Sequence, residues 1–193
     1  MSLISKQQWQ LAVGLVTGKM SEKTFCDSMT TAAEDMPGLS LQLLRKSSDE
    51  HDAAGVEFGL ILGHQFGFTD EHLAVLLHLA GEGWHRQHEN VVDGLAKFRA
   101  LSSIDTLYRA ALTRHDYLDY DEAFALGVKC IWALGRFNSE EAVARLGDLM
   151  SCGNNILVEN AMNQLSRILD EGESDALREA AGKALRASDP RVR

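Results

Sequence analysis

Two short runs hold most of the residues able to do chemistry. In the first, Trp84 to Glu89, the side chains of His85, His88 and Glu89 stand at i, i+3 and i+4. On a helix that spacing gathers two imidazoles and a carboxylate on one face, a geometry able to hold a metal ion. In the second, His115 to Glu122, aspartates alternate with Tyr117 and Tyr120. Tyrosine offers a large stiff surface with a polar tip, and aspartate pairs with arginine or lysine on a partner. A solvated loop with its own capping aspartates explains the same composition equally well. Nucleophilic catalysis finds no support: there is no Gly-x-Ser-x-Gly elbow, no phosphate-cradling glycine loop and no Cys-x-x-Cys pair. Any Ser/His/Asp or Cys/His trio has to be assembled from widely separated positions. The balance moves toward binding.

The elements that position these runs are repeated. Val91, Val92, Leu95, Phe98, Ile104, Leu107 and Ala111 match Cys130, Ile131, Leu134, Phe137, Val143, Leu146 and Met150 at a constant offset of 39. Each copy reads as an apolar helix, a break at Ser102-Ser103 or Asn138-Ser139, and a second apolar helix. A degenerate third copy runs through Leu157, Met162, Leu165, Ile168, Leu177 and Ala181. A helical hairpin used in succession must stack on its neighbours to bury its apolar face, which predicts a solenoid. Trp132, inside Cys130 to Gly135, is expected in the core; an anchor on a solenoid's concave face is the other reading.

Composition bounds the rest. At 193 residues, 45% hydrophobic and 24% charged, with two prolines, the chain is expected to form a single domain of 1–193 that folds without disulfide or metal. A net charge of -9 argues against unaided binding to nucleic acid or anionic membrane and favours a basic protein partner. Three scattered cysteines, Cys26, Cys130 and Cys152, suit free thiols, with Cys130 as core. Neither a secretory signal nor an apolar run of the roughly 18 residues that span a membrane is apparent, so a cytoplasmic location is expected.

The coarse reading is all-α. Ser5 with Gln8 forms a capping box before Trp9, Leu11, Val13 and Val16, and Ser21 opens a helix with Phe25 and Met29. Pro37-Gly38 is the clearest break, followed by a short helix over Leu39 to Leu44 and a longer one from Ser48. Thr69 caps a helix with Leu73, Leu76, Leu77 and Ala80 that ends near Gly81, and His78 is a boundary or core histidine. Asp119 with Glu122 and Asn138 with Glu141 have capping-box spacing. Gly55, Gly59, Gly63 and Gly67 recur every fourth residue, which predicts close approach of two packed helices; each interior glycine otherwise costs about 1 kcal/mol.

The run from Val128 to Leu146, with its Ala-Leu-Gly helix end, short polar turn and Ala-Val-x-x-Leu helix, resembles a HEAT-like repeat over Thr69 to Leu185. The resemblance implies a right-handed α-solenoid of HEAT-like hairpins: a less regular N-terminal helical cap at 1–68, repeats at 69–187 and a tail at 188–193. Deoxyhypusine hydroxylase looks similar in general architecture and binds two irons through repeated His-Glu pairs. Only His88-Glu89 matches here; the next repeats offer Asp121-Glu122 and Glu159-Asn160, and one pair does not make a di-iron site. The runs Trp84 to Val92, Ile104 to Ala111 and Tyr117 to Phe124 resemble small bacterial HEAT-like proteins of toxin loci that serve as immunity proteins. This implies a non-enzymatic cytoplasmic protein, without catalytic residues, metal or cofactor, that occludes a cognate and basic toxin effector domain. The expected contacts are Trp84, His85, His88, Glu89, Tyr117, Asp119, Tyr120 and Asp121. A general scaffold or adaptor, and a metal- or small-molecule-dependent HEAT-like enzyme, are the alternatives.

Overall fold

Serine caps start the chain. Ser5 Oγ accepts the Gln8 backbone N–H at 3.2 Å while Gln8 Oε1 accepts that of Ser5 at 2.9 Å, the reciprocal box that opens α1 (Lys6–Val16). Ser21 Oγ accepts from Thr24 N at 3.2 Å and opens α2 (Glu22–Met29). The computed structural model describes residues 3–118 and 124–187. Among them every regular element is helical, with α3 (Met36–Glu50), α4 (Ala53–Phe66), α5 (His72–Leu79), α6 (His88–Phe98), α7 (Ile104–Leu112), α8 (Ala125–Leu134), α9 (Glu140–Leu149), α10 (Asn155–Glu171) and α11 (Asp175–Ala187) following in order. No helix of the described residues is long and apolar enough to cross a membrane.

Pro37-Gly38 does not break the chain; it lies in the first turn of α3, which runs unbroken to Glu50 through both segments expected to be separate helices. Proline is tolerated there because its missing N–H has no intrahelical acceptor in the first turn. The real break is at His51, left-handed at φ 52°, followed by Asp52, whose Oδ1 caps α4 through Ala54 N at 3.2 Å. This tight turn folds α4 back on α3. A Cβ at Gly59 would lie 2.9 Å from the Leu44 side chain, and one at Gly55 would collide with Ser47, so the glycine stripe is what lets the two backbones meet. Gly63 instead makes room for the ring of Phe68, in the link that follows α4.

The chain forms two compact units, Met1–Gly94 and Leu95–Arg193, dividing within α6 and not at residue 68. The reason is packing: α5 rests on α3, and Gly94 leaves room for Leu76 and Phe68. The core of the first unit gathers Ala12, Leu15, Phe25, Met36, Phe58 and Leu62, with Trp9 edge-on to Phe58 at 5.9 Å. Each fully buried Leu, Phe or Met side chain contributes about 1.5–3 kcal/mol over leaving it exposed.

In the second unit α7, α8, α9 and α10 each pack against the next helix, and α7, α8 and α9 also against the one after it. Of the fourteen apolar positions related by 39 residues, all but Phe98 and Met150 are buried, so the repeat is a core pattern. Cys130 is core. Gly127 lets α8 approach both neighbours: a Cβ there would lie 2.7 Å from Leu157 and 2.8 Å from the Ala111 carbonyl oxygen. Ser5 and Ser21 cap where expected, but two other helix starts shift. Ser139, not Asn138, caps α9 through Ala142 N at 3.2 Å, and α5 starts at His72, three residues after Thr69.

Candidate partner-binding surface

The segment between α5 and α6 is built on two histidines. His85 precedes α6, so His85, His88 and Glu89 do not share one helical face. His85 Nε2 lies 2.8 Å from the Leu79 carbonyl oxygen, and its Nδ1 accepts the Gln87 N–H at 3.1 Å. Those partners assign the proton to Nε2. His88 Nε2 lies 2.6 Å from the Glu82 carbonyl oxygen and likewise donates. The two rings stack with centroids 4.3 Å apart and planes at 23°. The two Nε2 bonds each span six residues, so the pair ties the end of α5 and the link after it to the start of α6.

This arrangement decides what the expected site residues can do. His85 and His88 are 1% exposed, which leaves neither ring a surface for a partner, and the expectation of contact through them is corrected. Their Nε2 protons go to backbone carbonyls of the link, that of Leu79 also accepting the Glu82 N–H at 3.1 Å. Both nitrogens of His85 are engaged, and among the described residues no three His, Cys, Asp or Glu side chains converge as a metal site. Trp84 is half-buried: its Nε1 donates to Glu82 Oε2 at 3.0 Å, and its ring lies 4.9 Å from that of His51 and 5.1 Å from that of His85. Glu89 is partly exposed on the first turn of α6. His78 is an exposed boundary histidine, 3.7 Å from Glu82 Oε1.

The second run is described only in part. Tyr117 is half-buried on the single 3-10 turn Asp116–Leu118, with its ring 5.8 Å from that of His115. Asp119, Tyr120 and Asp121, with Glu122, lie outside the described residues. His115, Leu118, Ala111 and Phe124 line a cavity of about 40 Å³, room for a water molecule. Burial pushes the His115 imidazole below its ordinary range, against the opposing pull of Asp116. Phe124 is held left-handed at φ 53° with the Arg114 guanidinium 5.3 Å over its ring.

Charge divides unevenly between the units. Residues 1–94 carry 13 acidic and six basic side chains, a net of -7, whereas 95–193 carry 15 and 13, a net of -2. The acidity that favours a basic partner is thus a property of the first unit.

One large side chain departs from the first of its two expected placements. Trp132, expected in the core, is 50% exposed and donates Nε1–H to Asn160 Oδ1 at 3.1 Å. The buried positions of α8 (Leu126, Gly127, Cys130, Ile131, Ala133 and Leu134) share one side, and at 100° per residue Trp132 points diametrically away from it. The degenerate repeat position Met162 is also exposed. No protein-family model, curated protein or solved structure matches this chain.

Proposed function

We propose that this chain is a non-enzymatic protein-binding module, built as a HEAT-like solenoid, that acts as a cytoplasmic immunity protein and neutralises a cognate toxin effector domain by occluding it. The observation that carries the reading is the net charge of -7 in residues 1–94, a field that speeds encounter with a basic protein. Trp84 and Glu89 lie at partly exposed positions in that unit. The packing of α7, α8 and α9 each on the next two helices supports the stacked-hairpin architecture. Tyr117, Asp119, Tyr120 and Asp121 add aromatic and acidic contacts. His85 and His88 act behind this surface by holding Trp84 and Glu89 in place.

Two measurements test the reading together. The tagged protein is isolated from host cytosol at moderate salt, and stoichiometric partners are identified by mass spectrometry. An immunity role requires one effector that becomes lethal when this protein is removed; housekeeping partners, with no conditional toxicity, overturn it. With the effector in hand, replacing Asp119 and Asp121 by lysine weakens binding without loss of helical content. Unchanged affinity removes this loop from the interface.

A further inference from the structure

We infer that the outer face of α8 and α10 is a second docking surface, independent of the reading above, that takes an acidic segment of a partner protein. Its centre is Trp132, half exposed and fixed by its bond to Asn160 Oδ1. Asn160, Gln164 and Arg167 stand at i, i+4 and i+7 and so line one side of α10. Gln164 is buried and its Oε1 accepts from Arg167 Nε at 3.3 Å and Nη2 at 3.2 Å, while Nη2 also donates to the Gly135 carbonyl oxygen. A Cβ at Gly135 would run into the Gln164 amide, so the glycine makes room for the group that orients the guanidinium. Arg136 follows at once, one turn beyond Trp132 and exposed.

The charges identify the occupant. Arg45, Arg145 and Arg178 each lie within ion-pair distance of a carboxylate. Among the described residues Arg136 and Arg167 do not: the acceptors of Arg167 are a neutral amide and a backbone carbonyl, and Arg136 has no carboxylate oxygen within 4.0 Å. Two cations without ion pairs, one four residues after a held tryptophan and the other on the helix that holds it, call for carboxylates flanking an apolar side chain. Tryptophan and arginine are also the residues that most often carry binding energy when held in place before contact.

The test pans a random linear peptide library on the full chain and measures the selected peptides by fluorescence anisotropy. The expected consensus is acidic with at least one large apolar residue. Its affinity falls roughly tenfold or more in Trp132→Ala and in Arg136→Gln, and is unchanged in Arg145→Gln. Among the described residues Arg136 makes no side-chain hydrogen bond or ion pair, so its variant keeps the test valid if Arg167→Gln disturbs Gln164. A basic or uncharged consensus, no enrichment over the Trp132→Ala protein, or binding indifferent to both substitutions overturns the proposal. An oligothymidylate that binds as tightly with the same losses assigns the face to nucleic acid and overturns it too.

Discussion

His72 and Ser40 form a buried polar relay: His72 Nε2 lies 3.3 Å from Ser40 Oγ, and Ser40 donates its hydroxyl proton to the Gly59 carbonyl oxygen at 2.7 Å. His72 Nδ1 accepts the Thr69 N–H at 3.0 Å, which assigns the ring proton to Nε2 and makes the imidazole donate to Ser40. Three helices, α5, α3 and α4, are joined through one neutral histidine with no surface exposure.

That neutrality has a pH signature. Burial pushes the His72 imidazole below its ordinary value of 6.5, so the unfolded chain binds the proton more readily than the folded one. The stability this contributes is complete above pH 6.5 and is lost as pH falls from 6.5 through the lowered folded value. Urea unfolding at pH 7.5 and 5.5 should show a smaller loss for His72→Gln than for the parent. His115, shifted the same way, contributes equally to both proteins and cancels. At pH 7.5 the variant should itself be less stable by about 1–3 kcal/mol, the cost of disrupting a buried hydrogen-bonded group.

Alanine should have opposite effects at a glycine of the stripe and at one outside it. Gly59→Ala places a Cβ 2.9 Å from Leu44 in a closed helix contact and should destabilise by about 1–3 kcal/mol. A Cβ at Gly38, in the first turn of α3, meets nothing within 4 Å, and Gly38→Ala should be neutral or stabilise by about 0.4–1 kcal/mol. Thermal melts of the two variants decide between close packing and a general glycine effect.

The His85–His88 staple should act on folding. His88→Ala removes a fully buried ring and leaves the Glu82 carbonyl without that donor, so a loss of about 2–4 kcal/mol in denaturant unfolding is expected. Glu89→Gln, on the same turn but partly exposed, should stay within about 0.5 kcal/mol of the parent.

Local signals carried far in this sequence, and orientation did not. Ser5 with Gln8 was legible because a capping box is a short-range bond pattern, and the 39-residue offset because burial fixes residue type at each helical position. Gly55 and Gly59 were legible because few forces other than a close neighbour keep glycine inside a helix. Pro37 misled because proline punctuates a helix everywhere except in its first turn. His85 misled because i, i+3, i+4 spacing has meaning only if the residues are helical, and bonding to the Leu79 carbonyl occurs in a non-helical link. Trp132 misled because its apolar character outweighed its angle on α8, although a helical wheel of the neighbouring core positions points it outward.

The shift of one cap is open to the same kind of check. Ser139 is extended at φ -142° and ψ 142°, and its Oγ accepts the Ala142 N–H, whereas Asn138, the residue with capping-box spacing to Glu141, lies one position outside. An extended backbone with a side-chain oxygen turned onto a free N–H of the first turn is what stabilises a helix start. Ser139→Ala should therefore cost about 0.5–2 kcal/mol, while Asn138→Ala should change stability by no more than about 0.5 kcal/mol. Equal costs would mean that both side chains share the donors of α9. A larger cost at Asn138 would place the helix start one residue earlier and shift the register of the α8–α9 turn with it.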